Sequence, residues 1–249
     1  MSRPAPAIAA TLAQTTTELR LTARRGENVL VTIIIPAVVL LFFASSGVLP
    51  SGAGRPVDFL LPGSLALAVI ATGLVNLGIA TAYERHYGVL KRVGGSPLTR
   101  AGLIAAKMLA VLAVEIAQVV LLVAIGVLVL GWSLPSGAVP ALLVVALLLG
   151  TVAFAGLGLL LAGTLRAEAT LALANGLFLV ALMLGGIVLP LDHLPDPLAA
   201  VAGVLPAAAL ADTFRVALGS GGDAAAPLAI LVAWGLGAVA LTVRTFRWE

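Results

Sequence analysis

The residues best equipped for chemistry lie in one charged stretch, Tyr83 to Lys107, which reads YERHYGVLKRVGGSPLTRAGLIAAK between long apolar runs. Tyr83 and Tyr87 supply aromatic faces, Glu84 and Arg85 opposite charges, and Lys91, Arg92 and Arg100 cations. That mixture suits recognition through a few central residues. It equally suits interfacial aromatics and cations that only fix how a membrane chain is oriented. Bond-making chemistry is poorly served. ATP hydrolysis by the usual route needs a Gly-rich loop closed by Lys and Ser/Thr, and neither Lys91 nor Lys107 has the preceding glycine or the following hydroxyl. The absence of cysteine excludes disulfides and thiolate sites, and two histidines make no convincing metal centre. The chain is therefore not expected to be an enzyme or to hold a cofactor of its own.

A second set of candidates lies inside apolar runs, where a polar side chain is costly and usually has a purpose. Glu115, with Gln118 one turn further on the same face, is the sharpest. It is read as a proton carrier, as a substrate contact or, preferably, as the structural partner of a cation such as Arg24 or Arg25. Asn76 and Asn175 either hydrogen-bond between helices or face a pathway.

These side chains need an apolar scaffold. The chain is 249 residues long, 61% hydrophobic and 10% charged, with a mean hydropathy of +1.17, far from soluble averages. Hydropathy predicts an all-α polytopic membrane protein with transmembrane helices near residues 29–49, 59–82, 108–130, 138–161, 171–189 and 224–243. Each run is about the ~20 residues that a bilayer core demands of a helix. Barrel strands are excluded because the runs are continuously apolar, not alternating. Little is left for a separate soluble domain, so residues 1–249 are read as one transmembrane domain. The first apolar run lacks a small-residue cleavage site behind it and is expected to remain in the protein.

With six spans the loops divide into two sets, and twelve of the fourteen Arg and Lys residues fall in the set that contains both termini. The positive-inside rule then places the N-terminus, the 83–107 loop, the loop at Arg166 and the C-terminus in the cytoplasm. The pI near 10.0 is accounted for by this bias, and no nucleic-acid partner is expected. Residues 1–28 form a cytoplasmic tail, in which Ile8 to Arg25 read either as an amphipathic elbow helix on the inner leaflet or as a solvated basic tail. A short polar helix is predicted from Glu84 to about Val93, broken by Gly94, Gly95 and Pro97. The 190–222 segment, with Pro190, Pro195 and Pro206, is too polar to span, yet Leu198 to Leu210 is apolar, so it is expected to dip into the outer leaflet or cap the exit. Asp212 and Arg215, one turn apart, are placed for an ion pair.

Glu84-Arg85, Gly88, Leu90, Lys91-Arg92, Ser96-Pro97 and Arg100 together resemble the loop between the second and third spans in permease subunits of type-2 ABC exporters, including bacterial drug-resistance permeases. Pro190, Leu194-Pro195, Leu198, Pro206, Asp212, Arg215 and Leu218-Gly219 resemble that family's external re-entrant segment. His86-Tyr87 departs from its usual small or polar residues. The resemblance implies that Tyr83 to Arg100 acts as a coupling helix on a cytoplasmic ABC ATPase, which binds and uses ATP and Mg. It implies two permeases, read as a homodimer, with two ATPases. It also implies that the second and fifth spans face a central pathway, so that Asn76, Asn175, Phe178 and Met183 are its candidate lining. The expected function is outward movement of a hydrophobic or amphipathic compound, a drug, antibiotic or lipid, across a bacterial cytoplasmic membrane. An ion-driven secondary transporter with Glu115 as coupling site is the alternative.

Overall fold

The computed structural model describes residues 6–24, 26–46, 55–96 and 98–245, with side chains of the second helix described from Thr32 onward. Pro97 and Arg25 lie outside the described residues. The described chain is all-α, with no strand among those residues.

Helix α1 (Ala7–Arg24) lies against α6 and buries none of its own side chains, leaving Ile8 and Leu12 exposed. Its threonines do not break it. Thr11, Thr15, Thr16 and Thr17 each turn the hydroxyl back to the carbonyl four residues earlier, which satisfies the side chain within the helix. Helix α2 (Gly26–Ser46) contains Pro36.

Helix α3 (Pro56–Ile70) begins with proline at its first position, where the missing N–H costs nothing. It continues through a π-helical turn (Ala71–Asn76) into α4 (Leu77–His86), making one 31-residue helix. This is the centre of the molecule. It lies against α7 (Pro140–Thr164) at almost backbone contact, because a Cβ on Gly73 would come within 2.9 Å of the Ala155 nitrogen and one on Gly78 within 3.1 Å of the Gly158 carbonyl. Small residues at such a seam replace the hydrophobic drive that lipid removes.

Helix α5 (Val89–Gly94) is a short turn before α6 (Arg100–Leu128), whose start is capped by Thr99 accepting from the Gly102 amide. Helices α8 (Ala167–Leu184) and α11 (Ala225–Thr245) flank the core, the latter packing along α7. Between them come a 3₁₀ turn (Leu191–His193), α9 (Asp196–Gly203) and α10 (Pro206–Ala217), the last two bent by 77°. Phe214 and Leu210 of α10 are fully buried against Leu60, Leu61 and Leu65 of α3, so the cap end is packed into the core.

The helix through α3 and α4, α6, α7, α8 and α11 are each long and apolar enough to cross a membrane, and the bent α9–α10 pair qualifies only if counted as one span. The described apolar part of α2, Thr32–Ser46, is shorter. The protein is a multi-pass membrane protein.

Candidate functional site

The 83–107 region departs from its sequence reading in one respect. Glu84 and Arg85 do not begin a new polar helix; they belong to α4, which runs unbroken from the apolar core to His86. Direction changes at Gly88, whose φ of +70° is left-handed. Nothing lies within 4 Å of a Cβ built there, so conformation and not crowding calls for glycine. The short helix is therefore α5 alone.

What α5 presents is divided by face. Leu90 is buried with Leu98 and Leu103, and the half-buried Ala10 and Val93 pack against them, which roots α5 between α1 and α6. Tyr87, Lys91 and Arg92 are exposed, and Arg100 is exposed at the first turn of α6. Tyr87 stacks on Tyr83 with ring centroids 6.1 Å apart, and His86 meets Tyr87 edge-on at 5.1 Å. The departure at His86-Tyr87 is thus part of an aromatic cluster beside the cations. Arg85 turns inward and donates to the Leu165 carbonyl, closing the end of α7.

Just inside this surface is an ionic cluster that sequence reasoning missed. Lys107 is 1% exposed, with its Nζ 2.7 Å from Glu84 and 3.0 Å from Glu18. Gln14 donates to Glu18 at 2.8 Å and steadies it. Helices α1, α4 and α6 meet at this one ammonium, which a low-dielectric interior tolerates only when paired. Lys107 counts in the sequence as one of many orienting cations; the available clue was its place opposite Glu84 across the α4–α6 hairpin.

The elbow arginine expected to pair with Glu115 does not do so. Arg24 forms no ion pair with it; the helix α1 meets α6 through Glu18 and Lys107. Glu115 is fully buried about four turns into α6 and faces Thr151 of α7. Gln118 accepts from Thr72 of the π turn at 2.9 Å and donates to the Thr32 carbonyl at 3.1 Å, joining α2, the π turn and α6.

Between α2, the α3–α4 helix and α8 lies a cavity of about 500 Å³. Asn76, Asn175 and Phe178 line it, with Tyr83, Tyr87 and Glu84 towards the charged end. Ile35, Ala71, Val75 and Ile79 make its apolar wall. Asn76 closes the π turn, a local widening that often marks a functional position. Asn175 donates to the Leu171 carbonyl at 2.8 Å, which leaves its amide oxygen available. Met183 is not in this lining; it stands further along α8, 60% exposed.

At the opposite end, Pro190 precedes the 3₁₀ turn, Pro195 precedes α9 and Pro206 opens α10. Leu198 is exposed on α9. Arg215 and Asp212 form an ion pair at 2.6 Å. The same guanidinium donates to the Gly186 carbonyl and lies 4.2 Å over the Phe59 ring, a cation–π contact. It ties α10 to α3 and to the end of α8.

A family model for ABC-2 type transporters matches residues 10–218, from the first turn of α1 to just past α10. The chain belongs to the ABC-2 type transporter family. No curated protein matches it. As an ABC-2 membrane domain the chain is a permease and not an ATPase, in accord with the missing phosphate loop. The matched stretch includes α5, the ionic cluster, the cavity and Arg215.

Proposed function

We propose that this permease exports a hydrophobic or amphipathic compound, a drug, antibiotic or lipid, from the cytoplasmic side of a bacterial inner membrane. ATP and Mg are handled by a separate cytoplasmic ABC ATPase, and two copies of the chain work with two ATPases, with lipid around them. The observation that carries this reading is the construction of α5. Its outer face offers Lys91 and Arg92, with Tyr87 just before it at the end of α4, while Leu90 and the cluster behind it fasten it to α1, α4 and α6. A push on such a helix is passed to the elbow and two long helices together, not absorbed by a loose loop.

Export then follows by alternating access. ATPase closure biases a conformational equilibrium of the helices and carries the cavity from inward to outward exposure. Asn76, Asn175 and the tyrosines offer hydrogen bonds at one side of a cavity whose other side is apolar, the pattern of a site for an amphipathic ligand. The α9–α10 cap, held by Arg215, closes the outer end between cycles. Glu115 is buried between α6 and α7 and does not line the cavity.

The test is Asn76→Trp in permease reconstituted with its ATPase. Filling the cavity should lower export of an amphipathic dye by roughly tenfold or more, as loss of a substrate-site contact does, with the complex still assembled. Export at the parent rate would remove the cavity from the pathway.

A further inference from the structure

Thr151 Oγ1 approaches two oxygens at once, its own helix's Leu147 carbonyl at 2.8 Å and Oε2 of Glu115. Each of these is an oxygen–oxygen contact that is attractive only with a hydrogen between the pair. A threonine hydroxyl owns one hydrogen. The carbonyl has none to give, so if the hydroxyl hydrogen points to Leu147, the hydrogen in the second contact must come from the carboxyl group. A carboxylate cannot supply it; a carboxylic acid can.

We infer that Glu115 is a neutral carboxylic acid that donates its O–H to Thr151, a proton-binding site sealed between α6 and α7. Three further observations agree. Oε1 is buried and has no hydrogen-bond partner, which is a modest cost for an acid's carbonyl and a large one for half of a carboxylate. No cation among the described residues pairs with Glu115. Among the described residues, α7, the π turn and the described part of α2 carry no charged side chain, and α3 carries only Asp58 in its first turn. On α1, Glu18 faces Lys107, while Arg20 and Arg24 make no ion pair with Glu115. On α4, Glu84 also faces Lys107 and Arg85 closes α7. On α6 itself Lys107 lies eight residues back, about 12 Å along the axis, and Arg100 lies further away. The bound proton thus replaces the missing counter-ion and serves as a hydrogen-bond pin between two central helices.

The experiment is infrared spectroscopy of the full chain in lipid at neutral pH, with and without glutamate labelled by ¹³C at the side-chain carboxyl. The expected result is a protonated-carboxyl C=O band that moves on labelling and disappears in E115Q. T151V, which removes the acceptor of the O–H, should shift the same band. A labelled protein with no protonated-carboxyl band would overturn the inference, as would a band unchanged in both variants. If E115Q does not fold, the label in the parent and the T151V shift still decide. An ionised Glu115 would also make E115Q more stable than the parent by relieving a buried charge; a neutral one predicts little change in thermal midpoint, because the amide donates to Thr151 in the acid's place.

Discussion

Lys107 at one end of the bundle and Arg215 at the other are both basic side chains turned inward, yet they are satisfied in different ways. Lys107 has two carboxylates from two other helices and is 1% exposed. Arg215 has one carboxylate on its own helix, a backbone carbonyl, the face of Phe59 and an Nε with no partner. Asp212, its only carboxylate among the described residues, is 42% exposed and can turn to water. The first arrangement cannot slip without separating Lys107 from both acids, whereas the second contains slack. That contrast fits the proposed division between an end that transmits a push and an end that opens.

The sharpest way to break the contrast is Lys107→Met, which keeps the bulk of the side chain and leaves Glu18 and Glu84 facing each other. Removing one partner of a buried ionic cluster costs about 3–5 kcal/mol. The variant should show a large fall in thermal midpoint and lose assembled complex in mild detergent. A K107M protein as stable as its parent would mean that the cluster holds nothing together. Glu84→Gln combined with Lys107→Met should be less damaging than the sum of the single changes, since one acid is then neutral.

Arg215→Met should cost less, about 2 kcal/mol, the worth of hydrogen bonds to a charged group, because Asp212 regains water. The same thermal measurement applies. Its stronger signature is functional, with leakier passage of the amphipathic dye without ATP while the ATPase remains bound. If R215M costs as much as K107M, the two ends are equally rigid and the proposed division between pushing and opening fails.

Much of the scaffold was legible in the sequence because lipid leaves the chain few choices. Continuous apolar runs impose helices, and proline and glycine mark where they turn. The boundaries near charge were harder. Glu84 and Arg85 look like loop residues by hydropathy, yet α4 carries them because Lys107 and the Leu165 carbonyl give them partners inside. Asn76, Asn175 and Phe178 meet at one cavity, while Met183, only five residues beyond Phe178, turns away. No periodicity rule reported the π turn that sets Asn76 in register. The pairing of Glu115 with Thr151 was equally hidden, since a threonine within an apolar helix carries no sign of what it faces.

The central claim, that α5 is the point at which a partner ATPase drives this permease, is tested most directly by purifying the tagged chain from its native membrane in mild detergent. The parent should bring down a stoichiometric protein with vanadate-sensitive ATPase activity. Tyr87→Ala with Arg92→Glu should lose that protein while keeping the parent's thermal midpoint, because both side chains are exposed and neither supports the core. A parent chain that purifies alone, or an ATPase that stays bound when both residues are changed, would contradict the account.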